Sequence, residues 1–179
     1  NKDSLYIAKE SKDVEFKSDD ASAPAKFYLV SYPAHRVTKT VHVPKSKAQT
    51  IELGSQETSN ERTIFQSIRP GIVDSCQLVM GITELKPGSV WNTKPPHTHF
   101  RRTEIYMYFD LPEEERVFHL MGEPKEVRSL SLPSEVAIAS PMWSIHSGVG
   151  TTNYTFVWAM GGENQEFDDM DHIKVADLN

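Results

Sequence analysis

A chain of 179 residues is long enough for one sizeable hydrophobic core, or for one core and part of a second. Its 25 acidic residues against 19 basic ones leave a formal charge of −6, which argues against nucleic acid as a partner because phosphate binding needs a basic surplus. No apolar run approaches bilayer-spanning length, so no membrane partner is expected, and the single cysteine, Cys76, allows no intrachain disulfide, which makes a reducing cytoplasm the expected compartment.

Eleven prolines and nine glycines, set among β-branched and aromatic runs of five to eight residues, predict an all-β sandwich or barrel. The chain opens at Asn1 rather than Met, inside DSLYIAKE, which reads as the middle of a strand pair, so a further N-terminal segment is expected to precede it. Leu5 to Ala8 and Val14 to Phe16 are predicted strands around the charged turn Lys9 to Asp13, and Ala25 to Ser31 reads as a buried strand. Residues 1–32 are thus expected to be the remainder of an N-terminal β unit. Residues 33–62 read as a polar connector with short edge strands, in which His35 and His42 lack a spaced acidic partner and are expected to be solvated. Thr63 to Ser67 and Cys76 to Leu85 are predicted strands, with Pro70-Gly71 turning between them. Cys76 lies in an apolar run without an adjoining histidine and reads as a buried, inert thiol.

The chemistry-bearing stretch comes next. His97 and His99 are two residues apart, and on a strand such positions share a face. After a spacer containing two arginines, Glu104 opens an alternating run to Phe109 that puts Glu104, Tyr106 and Tyr108 on one face. His119 alternates with apolar neighbours in Val117 to Met121 and is expected at the edge of the core or lining a cavity. A third candidate imidazole, His146, arrives in SPMWSIHSG. Three imidazoles and a carboxylate suit zinc, iron, manganese or nickel, and nothing in the spacing selects among them. The apolar strand Asn153 to Met160 leads into GGENQEFDDMDH, either a solvated acidic face or a segment folding back over a barrel mouth. Asp168, Asp169, Asp171 and His172 in it are a weakly spaced candidate for a second metal site.

PPHTHFRRTEIYMYF and SPMWSIHSG resemble the two motifs of the cupin superfamily, although the usual Pro-x-Gly before the second-motif histidine is here Pro141-Met-Trp-Ser-Ile-His146, without the glycine. Together with CQLVMGITELKPGSVWNT, VFHLMGEP and GGENQEFDDMDH they more closely resemble the 4-deoxy-L-threo-5-hexosulose-uronate ketol-isomerase family, from about Leu5 to Leu178. The resemblance implies a cupin-like double-stranded β-helix (jelly-roll) barrel over residues 63–179, with part of a second, N-terminally truncated barrel unit before it. It further implies a homo-oligomeric isomerase converting the small molecule 5-keto-4-deoxyuronate to 3-deoxy-D-glycero-2,5-hexodiulosonate in pectin breakdown. His97, His99, Glu104 and His146 would then hold one zinc per subunit, other divalent metals remaining possible. Arg101 and Arg102 are the candidates for clamping the substrate carboxylate, and Glu163, Tyr106 and Tyr108 for acid-base work. An iron-dependent cupin dioxygenase and a non-catalytic sugar-binding cupin are the alternatives.

Overall fold

The computed structural model describes residues 2–179. In chain order its strands are β1 (Ser4–Tyr6), β2 (Val41–Val43), β3 (Gln49–Leu53), β4 (Arg62–Ile68), β5 (Leu78–Leu85), β6 (Trp91–Thr98) and β7 (Arg102–Phe109). They continue with β8 (Val117–Glu123), β9 (Glu126–Leu132), β10 (Ala137–Ser140), β11 (Ile145–Gly150), β12 (Thr155–Gly162) and β13 (Asp171–His172). Two single 3-10 turns, Lys45–Lys47 and Val175–Asp177, are the helical pieces among the described residues. No helix there is long and apolar enough to cross a membrane.

The strands form a six-stranded sheet in the order β10-β7-β12-β5-β4-β3 and a five-stranded sheet in the order β13-β6-β11-β8-β9, with antiparallel neighbours throughout. Strand β7 shows how sequence alternation becomes a core face: Arg102, Glu104, Tyr106 and Tyr108 are buried while the residues between them are half-buried. Its neighbour β12 is buried at every position, as a central strand covered on both faces must be. Register aligns the inner faces, with Trp158 opposite both Tyr106 and Gly81, and Phe156 opposite both Tyr108 and Thr83. Tyr106, Tyr108, Tyr154, Phe156, Trp158 and Met160 are the heart of the main core, and burying each such side chain contributes about 1.5–3 kcal/mol.

The N-terminal part departs from expectation in two places. Val14 to Phe16 and Ala25 to Ser31 form no strand, although the apolar alternation is real: Tyr28 and Val30 are half-buried while Phe27 and Leu29 are exposed. Alternation marks which side faces protein, but a strand also needs a ladder partner, and none of the described residues supplies one there. Tyr32 instead lays its ring against Gly161 on β12. Strand β1 pairs with β2, and Tyr6, Val43, Ile68 and Val73 form a second, smaller core. In the connector, β3 is the edge of the six-stranded sheet, paired with β4. His42 is exposed and meets Asp3 at 3.2 Å, an acidic partner distant in sequence. The buried Cys76 does have a histidine neighbour, since His35 Nδ1 lies 3.5 Å from its Sγ.

Gly81 is a position where the main core leaves no room for a side chain. A Cβ there would lie 2.5 Å from the Phe65 carbonyl oxygen and overlap the Trp158 indole, whose Nε1 donates to Thr83 Oγ1 at 3.1 Å. Gly81→Ala is expected to destabilise the fold by about 1–3 kcal/mol, through overpacking. In a chain of this size that lowers the melting temperature by roughly 2–12 °C. An unchanged melting temperature would mean that the indole is not seated there.

Candidate metal centre

Two sheets meet at the predicted ligands. His97 lies near the end of β6, His99 just beyond it, and the chain then crosses at Arg101, in the left-handed region with φ of 65°, into β7 and the other sheet. That crossing turns Glu104, on the inner face of β7, back toward the histidines. Strand β11 runs antiparallel to β6 and sets His146 directly opposite His97.

The four side chains converge. Glu104 Oε2 is 2.9 Å from His99 Nε2 and 2.9 Å from His146 Nε2, and His146 Nε2 is 3.1 Å from His97 Nε2. All four donor atoms lie within 4.8 Å of one another. Zinc–nitrogen bonds of about 2.0–2.1 Å place tetrahedral ligand atoms about 3.3 Å apart, so this spacing matches atoms arranged around one cation. The set could hold a metal ion. Three nitrogen donors and one carboxylate oxygen, without sulfur, fit a borderline divalent metal.

Electrostatics prepare the same end. Burial, then the neighbouring His146 ring, pushes His97 down to about 3, which keeps it neutral with a free lone pair. Burial alone would raise Glu104, but the His146 and His99 rings hold it well below the usual carboxylate range. A neutral His97 and an ionised Glu104 are the protonation states in which these two side chains can ligate a metal.

The cluster opens onto a cavity of about 600 Å³ between the sheets, a size suited to a small-molecule ligand. Tyr106 lines it; its hydroxyl lies 2.8 Å from Thr93 Oγ1, and its ring centroid is 5.6 Å from that of His146. Burial and then the Glu104 charge push Tyr106 well above the usual phenol range, so it stays protonated. Tyr108 lies deeper, outside the cavity lining, with its hydroxyl 2.7 Å from His119 Nδ1. His119 is a core residue rather than a cavity residue, held neutral by burial, and then His146, at about 4.

The two arginines separate. Arg102 is buried and lines the cavity, pairing with Asp169 at 3.0 Å and donating to the Glu166 carbonyl. These contacts fold the acidic stretch after β12 over the cavity, where Phe167, Asp168, Met170 and His172 join the lining. Arg101 and Glu163, by contrast, are exposed, lie 3.5 Å from each other and stand outside the lining. Asp168, Asp169, Asp171 and His172 form no second ligand cluster among the described residues.

Sequence reading missed Arg62. It begins β4 and shares the inner face with Ile64 and Gln66, all three lining the cavity. The available signal was the Arg62-Ile64-Gln66 alternation, hidden by starting the strand one residue late.

The KduI/IolB family description matches residues 1–175. A 4-deoxy-L-threo-5-hexosulose-uronate ketol-isomerase from Lachnoclostridium phytofermentans is 56% identical over 177 residues, covering 99% of this chain and 64% of that protein. The protein of the same name from Formosa agariphila is also 56% identical, with 99% and 63% covered, and that from Yersinia pestis is 53% identical over 178 residues, with 99% and 64% covered. The chain thus spans less than two thirds of the length of these curated relatives. Among solved structures, an IolB-like protein from Salmonella typhimurium superposes with a TM-score of 0.58 at 11% identity, covering 84% of this chain and 56% of that one. An oxalate oxidase gives 0.50 at 19%, covering 88% and 76%. At those identities the likeness concerns the fold alone, and the fold is all-β and cupin-like. With a family match along almost its whole length, this chain belongs to the KduI/IolB family.

Proposed function

We propose that this chain carries the active site of a metal-dependent ketol-isomerase that converts 4-deoxy-L-threo-5-hexosulose uronate to 3-deoxy-D-glycero-2,5-hexodiulosonate. The observation that carries the reading is the buried cluster His97, His99, Glu104 and His146 at the wall of a cavity large enough for a six-carbon acid. The relatives' shared name supports the substrate, and their greater length leaves the whole protein's activity a matter for experiment.

The reaction relocates two hydrogens, one between neighbouring carbons and one between their oxygens. A proton leaves the hydroxyl-bearing carbon beside the aldehyde, and negative charge develops on the aldehyde oxygen, which takes up a proton to become a hydroxyl. The neighbouring hydroxyl gives up its proton to become the ketone as a proton returns to the former aldehyde carbon. Held by the three imidazoles and Glu104, zinc would supply Lewis-acid polarisation of the carbonyl. The protein's own part is to exclude water and to place a protonated hydroxyl, that of Tyr106, beside the cluster, where it can hold or deliver a proton at the carbonyl oxygen. Tyr108 orients the core behind it through His119. We further propose one zinc per subunit, a homo-oligomeric assembly, a cytoplasmic location and a role in pectin breakdown. Residues 63–179 would be the metal-binding barrel, residues 33–62 the connector and residues 1–32 the remainder of a second β unit.

Three outcomes test this reading. Metal-loaded protein should convert the keto-deoxyuronate, followed by NMR, with one equivalent of metal per chain by elemental analysis. Oxygen uptake by iron-loaded protein without isomerisation would instead establish a dioxygenase. Tyr106→Phe should retain the metal and lower kcat by about 100-fold or more, the usual scale of general acid-base assistance; unchanged turnover removes Tyr106 from the reaction. Zinc at 100 times its dissociation constant should add about 2.7 kcal/mol of stability. For a chain of this size that is a melting shift of roughly 5–11 °C.

Acid should weaken the metal-free chain. His97 and His119 titrate near 3 and 4 in the folded state against 6.5 for an ordinary histidine, so below pH 6.5 the unfolded chain binds protons that the folded one refuses. Stability should fall as pH drops from 6.5 toward 4 and gain no slope from these groups above that window. A flat denaturation midpoint across it would contradict neutral buried imidazoles.

A further inference from the structure

Arg62 is a buried cation without an anion. It is 8% exposed, its Nη1 donates to the Asn60 carbonyl at 2.8 Å, and among the described residues no carboxylate pairs with it. Burial pushes its guanidinium below the ordinary value, with only the Tyr106 and Tyr154 hydroxyls exerting an opposing influence. A guanidinium carries five donors, and desolvating its charge is costly unless an opposite charge completes it.

The other cations of the cavity are accounted for. Arg102 is already held by Asp169 and the Glu166 carbonyl. Lys94 turns to the Thr58 carbonyl in an exposed contact at 3.0 Å. Arg62 alone among these is buried with no carboxylate against it, and it lies on the inner face of β4, in the same cavity wall as Tyr106. The same cavity is lined by His97, His99, Glu104 and Tyr106, so the carboxylate-free cation and the ligand cluster face one space. A sugar acid with its aldehyde at one end and its carboxylate at the other offers a partner to each.

We infer that Arg62 is the carboxylate-binding residue of the cavity, gripping the acid end of a small sugar acid while its carbonyl end faces the histidine–glutamate cluster. The identity of the acid rests on the isomerase reading above; the role of Arg62 as an acid clamp does not. Guanidinium and carboxylate fit as a bidentate pair, which lysine cannot reproduce.

The test compares the keto-deoxyuronate with its methyl ester on metal-free protein, where binding is read by calorimetry without turnover. Wild type should prefer the acid, and Arg62→Gln should bind the acid about 10- to 100-fold more weakly, the scale of a hydrogen bond to a charged group. It should also lose the preference for acid over ester. Arg62→Lys should fall between the two, and Lys94→Gln should bind as wild type does. If Arg62→Gln is too unstable to purify, the lysine variant decides the matter: affinity and acid preference equal to wild type overturn the proposal. An Arg62→Gln protein that keeps the wild-type acid preference also overturns it. Metal-loaded wild type that fails to isomerise the compound sinks the isomerase reading, while the acid-to-ester comparison still decides the role of Arg62.

Discussion

Three imidazole nitrogens and one carboxylate oxygen lie within 4.8 Å of one another, three of the pairs at 2.9–3.1 Å, with His99, Glu104 and His146 buried and His97 half-buried, and the rest of the molecule can be read as the means of holding them there. Left to themselves, lone pairs so close repel, and buried polar atoms without complete partners are costly. The two sheets overcome this by register. β11 fixes His146 against His97, the crossing after β6 carries His99 inward, and β7 brings Glu104 across from the opposite sheet. The aromatic core beneath the cluster keeps those strands from sliding, because a one-residue slip would turn every inner side chain outward.

The charge arrangement around the cavity follows from the same burial. The chain is acidic overall, yet its cavity wall sets Arg62 and Arg102 beside Glu104 and Asp168. Arg102 uses its charge structurally, drawing the acidic segment after β12 across the cavity. That segment is therefore both part of the wall and, on its outer side, a solvated surface, which joins the two readings its composition allows.

Much of this was legible in the sequence because strand period is a strong constraint. The His97-x-His99 spacing, the alternation from Glu104 through Tyr108 and the apolar run before Met160 each specify a face without reference to the rest of the fold. What could not be read depends on contacts between distant segments. The alternation in Ala25 to Ser31 signals a sided segment but says nothing of a ladder partner. Glu163 and Arg101 flank the site in sequence and pair with each other in solvent. Arg62, thirty-five residues before His97, joins the same cavity only because β4 and β7 lie in one sheet, separated by β5 and β12. The His35 neighbour of Cys76 is likewise a product of folding, with no local trace.

X-ray absorption at the zinc edge, on protein reconstituted with one equivalent of zinc, tests the central claim most directly. The account predicts a shell of nitrogen and oxygen at about 2.0–2.2 Å, with multiple-scattering features of three imidazoles, one of which disappears in His146→Ala. A shell containing sulfur, or one unaltered by that substitution, would contradict it.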